Sequence, residues 1–560
     1  MTSAISIGKQ DFASLRENHY FYVDKTDFIR QWWESGDDIT LITRPRRFGK
    51  TLNMSMLNCF FSRQYAEKGT IFEGLSIWKQ EKYCRLQGTY PVIFLSFADV
   101  KQNNYQDAVQ KIKNIIVDAY RRHRYLEQEE CFTQNEKQQM LEITEKMSDV
   151  TAQDALKNLS SYLNLLYGKK VLIFLDEYDT PMQEAYIHGY WDEFVGFMRS
   201  LFNATFKTNP YLERAVMTGI TRISKESVFS DLNNLTVITT TSDAYADCFG
   251  FTEEEVFQSL DQFGMPEKKD LVKQWYDGFC FGTHRDIYNP WSITNYLKEK
   301  KLRPYWAATS SNGLISKLLQ LASVNMKEEL EKLINRQQIV VNFDEQIIFG
   351  QLEQDESAVW SLLVASGYLK VEEIEYRGLT LEPWYSLSIT NLETVSMFSN
   401  MFKSWFAAAS ANYNEFIKAM LNGDVKAMNL YMNDIALATF SNFDAGKHAS
   451  ERSQPERFYH GFVLGLLVEV RDLYEVRSNR ESGYGRYDVI LIPRNLDRDA
   501  MILEFKVKET EEKTLQETVQ KALAQIEIKK YDAELKERGI SKERIRHYGF
   551  AFEGKKVLIG

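Results

Sequence analysis

The residues with the clearest chemical pattern lie between positions 39 and 51. The apolar run Ile39–Thr43 leads through Arg-Pro-Arg-Arg-Phe into a Gly-Lys-Thr triplet at 49–51. The triplet completes the second half of the phosphate-binding pattern G-x-x-x-x-G-K-[ST], whereas Arg44 stands where the pattern has its first glycine. In this pattern the backbone N–H groups of a helix N-terminus hold phosphate oxygens. The segment predicts a nucleotide site, with a chance Gly-Lys-Thr at a helix start as the alternative.

The side chains of this segment have distinct predicted roles. Lys50 reaches the β- and γ-phosphates, and the Thr51 hydroxyl is a ligand of Mg²⁺. Arg46 and Arg47 add positive charge to the loop. The predicted nucleotide-contacting residues are Arg46, Arg47, Phe48, Gly49, Lys50 and Thr51.

An acidic strand end strengthens this interpretation. The apolar run Val171-Leu-Ile-Phe-Leu ends in Asp176 and Glu177. Beside a phosphate loop, the first carboxylate holds the Mg²⁺ shell and the second polarises the attacking water. An ordinary strand followed by an acidic turn is the alternative, but the order and separation of the two elements favour a nucleotide site.

The next strand candidate, 214–219, carries two further candidates near its end. Thr218 is suited to contact the γ-phosphate or the lytic water, and Arg222 either senses the γ-phosphate or acts in trans as an arginine finger. A finger in trans requires a homo-oligomer, and a surface salt bridge is the simpler alternative for Arg222. Asp179 either supports this site or caps the turn that contains Pro181.

A second pattern lies near the C-terminal end of the sequence. Asp488 opens one apolar strand candidate, whereas Glu504 and Lys506 are two residues apart on the next and therefore share a face. Two carboxylates on adjoining strands hold one or two Mg²⁺ ions against a phosphodiester. Lys506 would position the attacking water and offset charge in the transition state. This is the PD-(D/E)xK pattern, and a surface hairpin with alternating charges is the alternative.

Two predicted helices flank this strand pair. Glu456 and His460 are four residues apart and share a face. Glu456 is a candidate to complete the metal site, while helix packing is the favoured role of His460. On a later helix, Gln525 and Lys529 either contact phosphate or belong to a solvated face.

The order of elements explains how these residues are positioned. Strand candidates at 39–43, 92–97, 171–175, 215–219 and 235–239 alternate with helical stretches in the first 240 residues. Such alternation predicts a parallel sheet covered on both faces. Residues 252–400 are predicted to be mostly helical, with one helix at 357–365 followed by a hairpin at 368–390. Strands at 487–492, 500–507 and 547–552, with a helix at 514–537, predict a separate α/β domain.

Composition excludes several classes of protein. The chain has 560 residues and a net charge of −10, which argues against a surface coated in basic charge but not against a local basic groove. The five cysteines are scattered without CxxC spacing, which disfavours disulfides and zinc and fits a reducing cytoplasm. Because neither a signal peptide nor an apolar run of about 20 residues is present, we expect a cytoplasmic protein without a membrane partner.

Several motifs together resemble the bacterial AAA-ATPase-like proteins. They lie at 22–26 (Tyr-Val-Asp-Lys-Thr), 44–51, 175–181, 218–222, 230–235, 275–279 and 288–292. In that family arginine at the first glycine position is usual. The resemblance implies an ASCE-type P-loop ATPase core. In related ATPases the segment matching 22–26 lies near the adenine, which implies base contacts for Tyr22, Val23 and Asp24.

The C-terminal region in turn resembles a PD-(D/E)xK nuclease-superfamily domain. Its matching stretches lie at 456–460, 478–483, 485–488, 504–506, 522–526 and 548–552. The fold class that follows is α/β. It combines an N-terminal P-loop (ASCE/AAA-like) parallel sheet, a helical lid and a winged-helix-like region with a C-terminal restriction-endonuclease-like domain. The predicted domains are the ATPase core at 1–245, the lid at 246–310, the winged-helix-like region at 311–400 and the nuclease-like domain at 401–560.

The leading functional hypothesis joins the two sites. An ATPase that uses ATP and Mg²⁺ would gate cleavage of nucleic acid, DNA rather than RNA, by a Mg²⁺-dependent nuclease domain. Analogy with fused ATPase–nuclease systems places this activity in defence or mobile-element control. The alternative is a non-cleaving ATP-dependent switch whose C-terminal domain only binds nucleic acid or a protein partner.

Overall fold

The computed structural model describes most of the chain and divides it into two compact units. The described residues are 3–222, 229, 232–307, 313–345, 352, 355–406, 410–443, 453–479, 487–509, 511–529 and 531–560. The first unit comprises Met1–Ser310 and Val340–Thr394, and the second comprises Ser311–Ile339 and Val395–Gly560. The region 311–400 is therefore shared between the two units, and the division of the sequence into four domains stays a prediction.

The helices and strands follow one another in an alternating order in the N-terminal part. Up to residue 299 they are α1 (Phe12–Glu17), α2 (Asp27–Ser35), β1 (Ile39–Thr43), α3 (Lys50–Phe61), α4 (Glu81–Leu86), β2 (Val92–Ser96), α5 (Tyr105–Arg122), α6 (Gln134–Leu141), α7 (Asp149–Tyr167), β3 (Val171–Asp176), α8 (Thr180–His188), α9 (Trp191–Phe202), β4 (Leu212–Gly219), β5 (Leu235–Ile238), β6 (Phe251–Thr252), α10 (Glu253–Gln262), α11 (Lys269–Tyr276), β7 (Phe279–Phe281), β8 (His284–Tyr288) and α12 (Pro290–Glu299).

The remaining elements are mainly helical before the last sheet begins. They are α13 (Gly313–Leu321), α14 (Val324–Ile334), β9 (Ile339–Asn342), α15 (Glu356–Ala365), β10 (Leu369–Arg377), β11 (Glu382–Ile389), α16 (Leu392–Trp405), α17 (Ser410–Asn422), α18 (Val425–Phe443), α19 (Ser453–Glu469), β12 (Tyr474–Asn479), β13 (Tyr487–Pro493), β14 (Ala500–Val507), α20 (Leu515–Lys529), α21 (Tyr531–Glu537), β15 (Ile545–Glu553) and β16 (Lys556–Ile559).

The main sheet of the first unit is parallel, as predicted. Its strand order is β2-β3-β4-β1-β5, and each neighbouring pair runs in the same direction. Every residue of β1 and β3 is buried. Continuous apolar strands of this kind need cover on both faces, because alternate side chains point to opposite sides. Parallel strands end at a common edge, so the loop after β1 and the tips of β3 and β4 meet there.

The region predicted to be mostly helical contains additional strands. A small sheet, β6-β8-β7, lies between 251 and 288, a part of the mostly helical region for which no strand was predicted. These strands are short, and β8 begins with His-Arg-Asp, so neither length nor apolar alternation indicated them. The predicted helix followed by a hairpin is confirmed as α15, β10 and β11, with β9 added to the sheet.

The last sheet, in the second unit, is mixed. Its order is β12-β13-β14-β15-β16, with only the β14–β15 pair parallel. On one face, Tyr459 of α19 stacks on Phe505 of β14, with the ring centroids 5.7 Å apart. On the other face, Ile502 of β14 packs in one cluster with Ile526 of α20. The sheet is thus covered by α19 and α20 on opposite sides.

Within the described part of the chain, no helix is both long and apolar enough to cross a membrane.

Candidate functional site

The phosphate loop connects β1 to α3 at the common edge of the parallel sheet. Gly49 immediately precedes α3 and has φ +81°, a left-handed conformation that glycine adopts without steric cost. Arg47 also has a positive φ of 68°. This conformation has a cost in free energy for any residue with a Cβ atom. The loop therefore contains two left-handed residues. The Gly-Lys-Thr triplet predicts the one at Gly49 but not the one at Arg47.

Lys50 is buried and held by the loop itself. Its Nζ donates to the carbonyl oxygens of Arg44 and Pro45 at 2.8 and 2.9 Å. Burial lowers the pKa of Lys50, and the carboxylates of Glu177 and Asp179 oppose that shift. An ammonium group has three donors, so these two carbonyls leave one donor for a phosphate oxygen, and a second phosphate oxygen would have to replace a carbonyl.

The acidic strand end lies beside the threonine of the loop, as predicted. Asp176 is fully buried and accepts a hydrogen bond from the Thr51 hydroxyl at 2.7 Å. Its other oxygen accepts from the Thr218 hydroxyl at 2.5 Å. Burial raises the pKa of Asp176, and these two hydrogen bonds lower it. Residues from α3, β3 and β4 are thereby brought together around one carboxylate.

Glu177 directly follows β3 and has an unusual backbone conformation. Its φ is +52°, a region that non-glycine residues rarely occupy and that recurs at functional sites. The side chain is half-buried, and its carboxylate accepts from the Thr180 hydroxyl at 3.1 Å. The strained turn thus sets the direction in which this carboxylate leaves the strand.

Asp179 binds the turn after β4 rather than capping a helix. It is buried, and its Oδ2 accepts from the backbone N–H groups of Ile220 and Thr221 at 3.0 and 2.8 Å. The Thr221 hydroxyl donates to the same oxygen at 2.8 Å. Although Asp179 precedes α8, its side chain makes no capping hydrogen bond there. Arg222, the next residue, is half-buried, and its Nε has no hydrogen-bond partner among the described residues.

Arg44, which replaces the first glycine of the pattern, points into the protein interior. Its guanidinium donates to the carbonyls of Thr239 and Ala244 at 2.5 and 3.2 Å. It also lies 4.4 Å from the ring centroid of Phe281. Burial lowers the pKa of Arg44 to about 9. The arginine therefore joins the phosphate loop to the segment after β5, a role that the generic pattern does not contain.

The middle of the loop contacts the region between 279 and 306. The Arg46 carbonyl accepts from Trp306 Nε1 at 3.1 Å, and the Arg47 guanidinium lies 4.3 Å from the ring centroid of Trp291. Phe48 packs its buried ring against Phe279, with centroids 4.7 Å apart. Phe48 therefore has only its backbone to offer a nucleotide, whereas the side chains of Arg46 and Arg47 are exposed.

The predicted adenine-contacting segment is engaged in internal contacts. The Tyr22 hydroxyl accepts from the backbone N–H of Lys25 at 3.2 Å. The Asp24 carboxylate accepts from the backbone N–H groups of Thr26 and Ser76 at 2.9 and 2.7 Å. Val23 packs beside the apolar cluster of the 251–297 region. Base contacts by these residues stay a prediction, which Val23 fits better than the two polar side chains.

The second predicted site is organised by strand register. Asp488 of β13 lies directly opposite Glu504 of β14, and both are one step from the pair of Val489 and Leu503. The side chains of Asp488 and of Glu456, the predicted helix-borne ligand, lie outside the described part of the structure. Opposite positions of an antiparallel pair belong to the same face of a sheet, so the strand register puts positions 488 and 504 on one face.

Glu504 is a buried carboxylate without a hydrogen bond. The residue is fully buried, and neither carboxylate oxygen has a partner in the described portion of the chain. Burying an unpaired charge is costly unless a cation or a proton compensates it. The donor chemistry of Glu504 therefore fits a divalent metal ion, for which carboxylate oxygens are suitable ligands.

Lys506 is oriented by the neighbouring helix. Its Nζ donates to Oε1 of Gln525 in α20 at 2.6 Å. Gln525 is buried, and its Nε2 has no hydrogen-bond partner among the residues that the structure describes. The structure thus brings Glu504, Lys506 and Gln525 to the α20 face of the sheet. The side chain of Lys529 lies outside the described residues.

His460 lies on the other side of the last sheet, where helices pack. It is buried beside Glu331 of α14, with Nδ1 3.6 Å from Oε1. The Ser478 hydroxyl of β12 donates to the same glutamate. Ser478 is paired with Val489 rather than with Asp488. Because successive residues of a strand face opposite sides, Ser478, Glu331 and His460 lie on the face opposite to Glu504. Sequence reasoning missed Glu331, since nothing in the local pattern of α14 connects it with residues 460 and 478.

Comparisons with known proteins find a separate match for each of the two regions that carry these sites. Residues 6–229 match a family model described as "Predicted AAA-ATPase", and residues 454–560 match the model of the PD-(D/E)XK nuclease superfamily. The "Uncharacterized protein in vnfD 5'region" of Azotobacter chroococcum mcd 1 is 24% identical over 518 residues. This match covers 90% of the present chain and 89% of that relative.

Proposed function

We propose that this chain, which carries an AAA-ATPase-like domain and a PD-(D/E)XK nuclease superfamily domain, binds and hydrolyses ATP and cleaves nucleic acid in an ATP-dependent manner. The observation that supports the first activity most directly is the pair of hydroxyls, from Thr51 and Thr218, on the two oxygens of Asp176. They join the helix after the phosphate loop to the tips of two strands.

The chain's own residues would divide the work of ATP hydrolysis. Lys50 would exchange its loop carbonyls for phosphate oxygens and offset charge on the transferred group. Glu177 would accept a proton from, or orient, the attacking water. Thr51 and Asp176 would hold Mg²⁺, which when bound neutralises charge on the β- and γ-phosphates. Arg222 would contribute positive charge in cis or from a second copy of the chain.

Two substitutions separate nucleotide binding from hydrolysis. We expect Lys50→Ala to weaken ATP binding at least tenfold, because the buried ammonium is lost. Glu177→Gln should keep binding within about threefold and lower turnover about 10²-fold. Titration with a fluorescent ATP analogue and a phosphate-release assay measure the two quantities. Lys68→Ala, at an exposed lysine paired with Glu17, is the matched control. Unchanged turnover in Glu177→Gln would remove that residue from the mechanism.

Support for the nuclease activity comes from the unpaired carboxylate of Glu504. Glu504 and Asp488, which are paired across β13 and β14, are the proposed metal ligands, and Mg²⁺, when bound there, would stabilise negative charge on the phosphodiester. Glu456 stays a candidate ligand, although its helix, α19, covers the face of the sheet opposite to α20. Lys506, held by Gln525, would orient the attacking water and stabilise the developing charge. Fused ATPase–nuclease systems of defence or mobile-element control supply the functional setting by analogy.

Cleavage is tested with DNA and RNA of matched sequence, in Mg²⁺ or Mn²⁺, with and without ATP. We expect metal-dependent cleavage of DNA that ATP changes and that Glu504→Ala and Lys506→Ala abolish. Lys508→Ala is the matched control, because this lysine follows the same strand and pairs with Glu553. If no substrate is cut under any condition while ATP is still hydrolysed, the chain is the non-cleaving switch instead.

A further inference from the structure

The two residues after Glu177 grip the turn that leads from Thr218 to Arg222. Asp179 accepts three hydrogen bonds from this turn on a single oxygen, from the Ile220 N–H, the Thr221 N–H and the Thr221 hydroxyl. The Tyr178 hydroxyl donates to the Thr221 carbonyl at 2.8 Å. Both residues are buried, Tyr178 with 0% and Asp179 with 1% of its surface exposed.

Close packing at Gly219 adds to this grip. A Cβ placed on Gly219 would lie 2.6 Å from a ring carbon of Tyr178 and 2.8 Å from Oδ1 of Asp179. Such distances are too short for a carbon atom, so any side chain at position 219 would displace Tyr178 or Asp179. The turn is therefore fixed by steric contact as well as by hydrogen bonds.

One end of this turn contacts the phosphate site, and the other end leads to Arg222. On one side, Thr218 donates to Asp176. On the other side, Arg222 follows Thr221 directly, and its Nε is buried without a partner in the described part of the chain. Holding a long cationic side chain at a defined point costs conformational entropy. That cost is smaller when the backbone that carries the side chain is already fixed.

We propose that Asp179, assisted by Tyr178, is a positioning residue for ATP hydrolysis that fixes the backbone from which Arg222 reaches the γ-phosphate. This inference rests on the proposed ATPase function. Asp179 touches neither substrate nor metal in this proposal. Its effect passes entirely through the turn and Arg222, whether Arg222 acts in its own chain or on a second copy.

A double-mutant cycle on the full chain tests the inference. We expect Asp179→Ala and Arg222→Ala each to lower kcat of ATP hydrolysis by about 10- to 100-fold while KM changes less than threefold. Combined, they should lower kcat no more than about threefold beyond Arg222→Ala alone, because residues that act as one unit are non-additive. Asp179→Asn, which keeps an acceptor for the turn, should restore part of the loss.

Controls guard against a merely structural effect. Gln183→Ala removes another donor to the same Asp179 oxygen without touching the turn and should change kcat less than threefold. Tyr178→Phe removes one hydrogen bond, preserves the packing and should lower kcat severalfold in a form that folds normally. If Asp179→Ala does not fold, the cycle is run with Tyr178→Phe.

The outcomes distinguish the inference from the function on which it rests. If the unmodified chain fails to hydrolyse ATP, or Lys50→Ala leaves turnover intact, the proposed function itself is wrong. If these two behave as expected but the effects at positions 179 and 222 multiply, Asp179 does not act through Arg222. A kcat unchanged in Arg222→Ala overturns the inference in the same way.

Discussion

The two proposed reaction sites differ in how their buried carboxylates are held. In the first unit, Asp176 accepts a threonine hydroxyl on each oxygen. In the second unit, neither oxygen of the equally buried Glu504 has a partner within the described residues. The phosphate-loop site is thus held together by its own hydrogen bonds, whereas the carboxylate of the second site needs a cation or a proton. The first site is therefore preorganised by its own side chains, whereas the second depends on a bound ligand or proton.

The largest effect is expected where the unpaired carboxylate is replaced. Glu504→Gln should lower cleavage about 10³-fold, because a neutral amide no longer attracts the metal ion. It should also abolish the rise in unfolding temperature on adding Mn²⁺, while the metal-free protein keeps or gains stability because an uncompensated buried charge is gone. Differential scanning calorimetry with and without Mn²⁺ measures the metal-induced rise and the stability of the metal-free protein, and the nuclease assay measures cleavage. Equal Mn²⁺ stabilisation of the variant would contradict the comparison, and Glu509→Gln, at an exposed glutamate, is the control.

A second prediction concerns the hydrogen bonds that Arg44 makes behind the phosphate loop of the first site. Arg44→Gly restores the generic phosphate-loop pattern, yet it removes a buried cation that donates to the carbonyls of Thr239 and Ala244. We expect a loss of about 4 kcal/mol in the free energy of unfolding, since hydrogen bonds from charged groups are strong and the carbonyls stay buried. Urea unfolding measures it. A variant as stable as the unmodified chain would show that Arg44 does not hold the loop in place.

Arg44 also shows where sequence reasoning ends. Parallel strands and their polar tips were predictable, because β1 and β3 are continuous apolar runs and their end residues follow a known chemical pattern. The partners of Arg44 lie 195 and 200 residues away along the chain, and no local pattern reports such contacts. For the same reason the sequence leaves open whether Asp179 supports the nucleotide site or caps the turn that contains Pro181. The strands β12 and β16 also went unpredicted.

The edge strand β16 illustrates the same limit. It is only four residues long, and its outer backbone groups are bound by Asn429 and Asn433 of α18. Asn433 exchanges two hydrogen bonds with Val557, at 2.7 and 3.0 Å. Side-chain amides at i and i+4 of a helix here take the place of a neighbouring strand, an arrangement that no periodicity in either segment indicates.

A third prediction concerns Glu393, a buried carboxylate of the first unit. Burial raises the pKa of Glu393 to about 7, although Ser292 and the Trp306 N–H donate to its carboxylate. The folded state therefore binds this proton more tightly than the unfolded state, whose glutamate titrates near 4.5. Stability from this group falls as pH rises from about 4.5 to about 7 and is constant above that range, by about 3 kcal/mol in total.

Comparison with Glu393→Gln isolates that contribution. The amide keeps an acceptor for Trp306 and a partner for Ser292 but does not titrate. Relative to the unmodified chain, the variant should therefore gain stability steadily from pH 5 to pH 7. Urea unfolding at three pH values measures the difference, with the exposed Glu73→Gln as the control. A difference that is independent of pH would mean that Glu393 is charged at little cost.

The smallest effect is expected at Gln525 in the second site. One polar atom of its side-chain amide is hydrogen-bonded and the other is not. Its Oε1 accepts from Lys506 at 2.6 Å, whereas its Nε2 has no partner in the described chain. Gln525→Leu keeps the bulk of the side chain but frees the lysine, and we expect cleavage to fall about tenfold, the loss of one hydrogen bond to a charged group. The metal-induced rise in unfolding temperature should persist, because Glu504 is intact. Glu527→Ala, at an exposed position of the same helix, should change neither quantity. Loss of the metal response in Gln525→Leu would instead place this glutamine among the groups that organise the carboxylates.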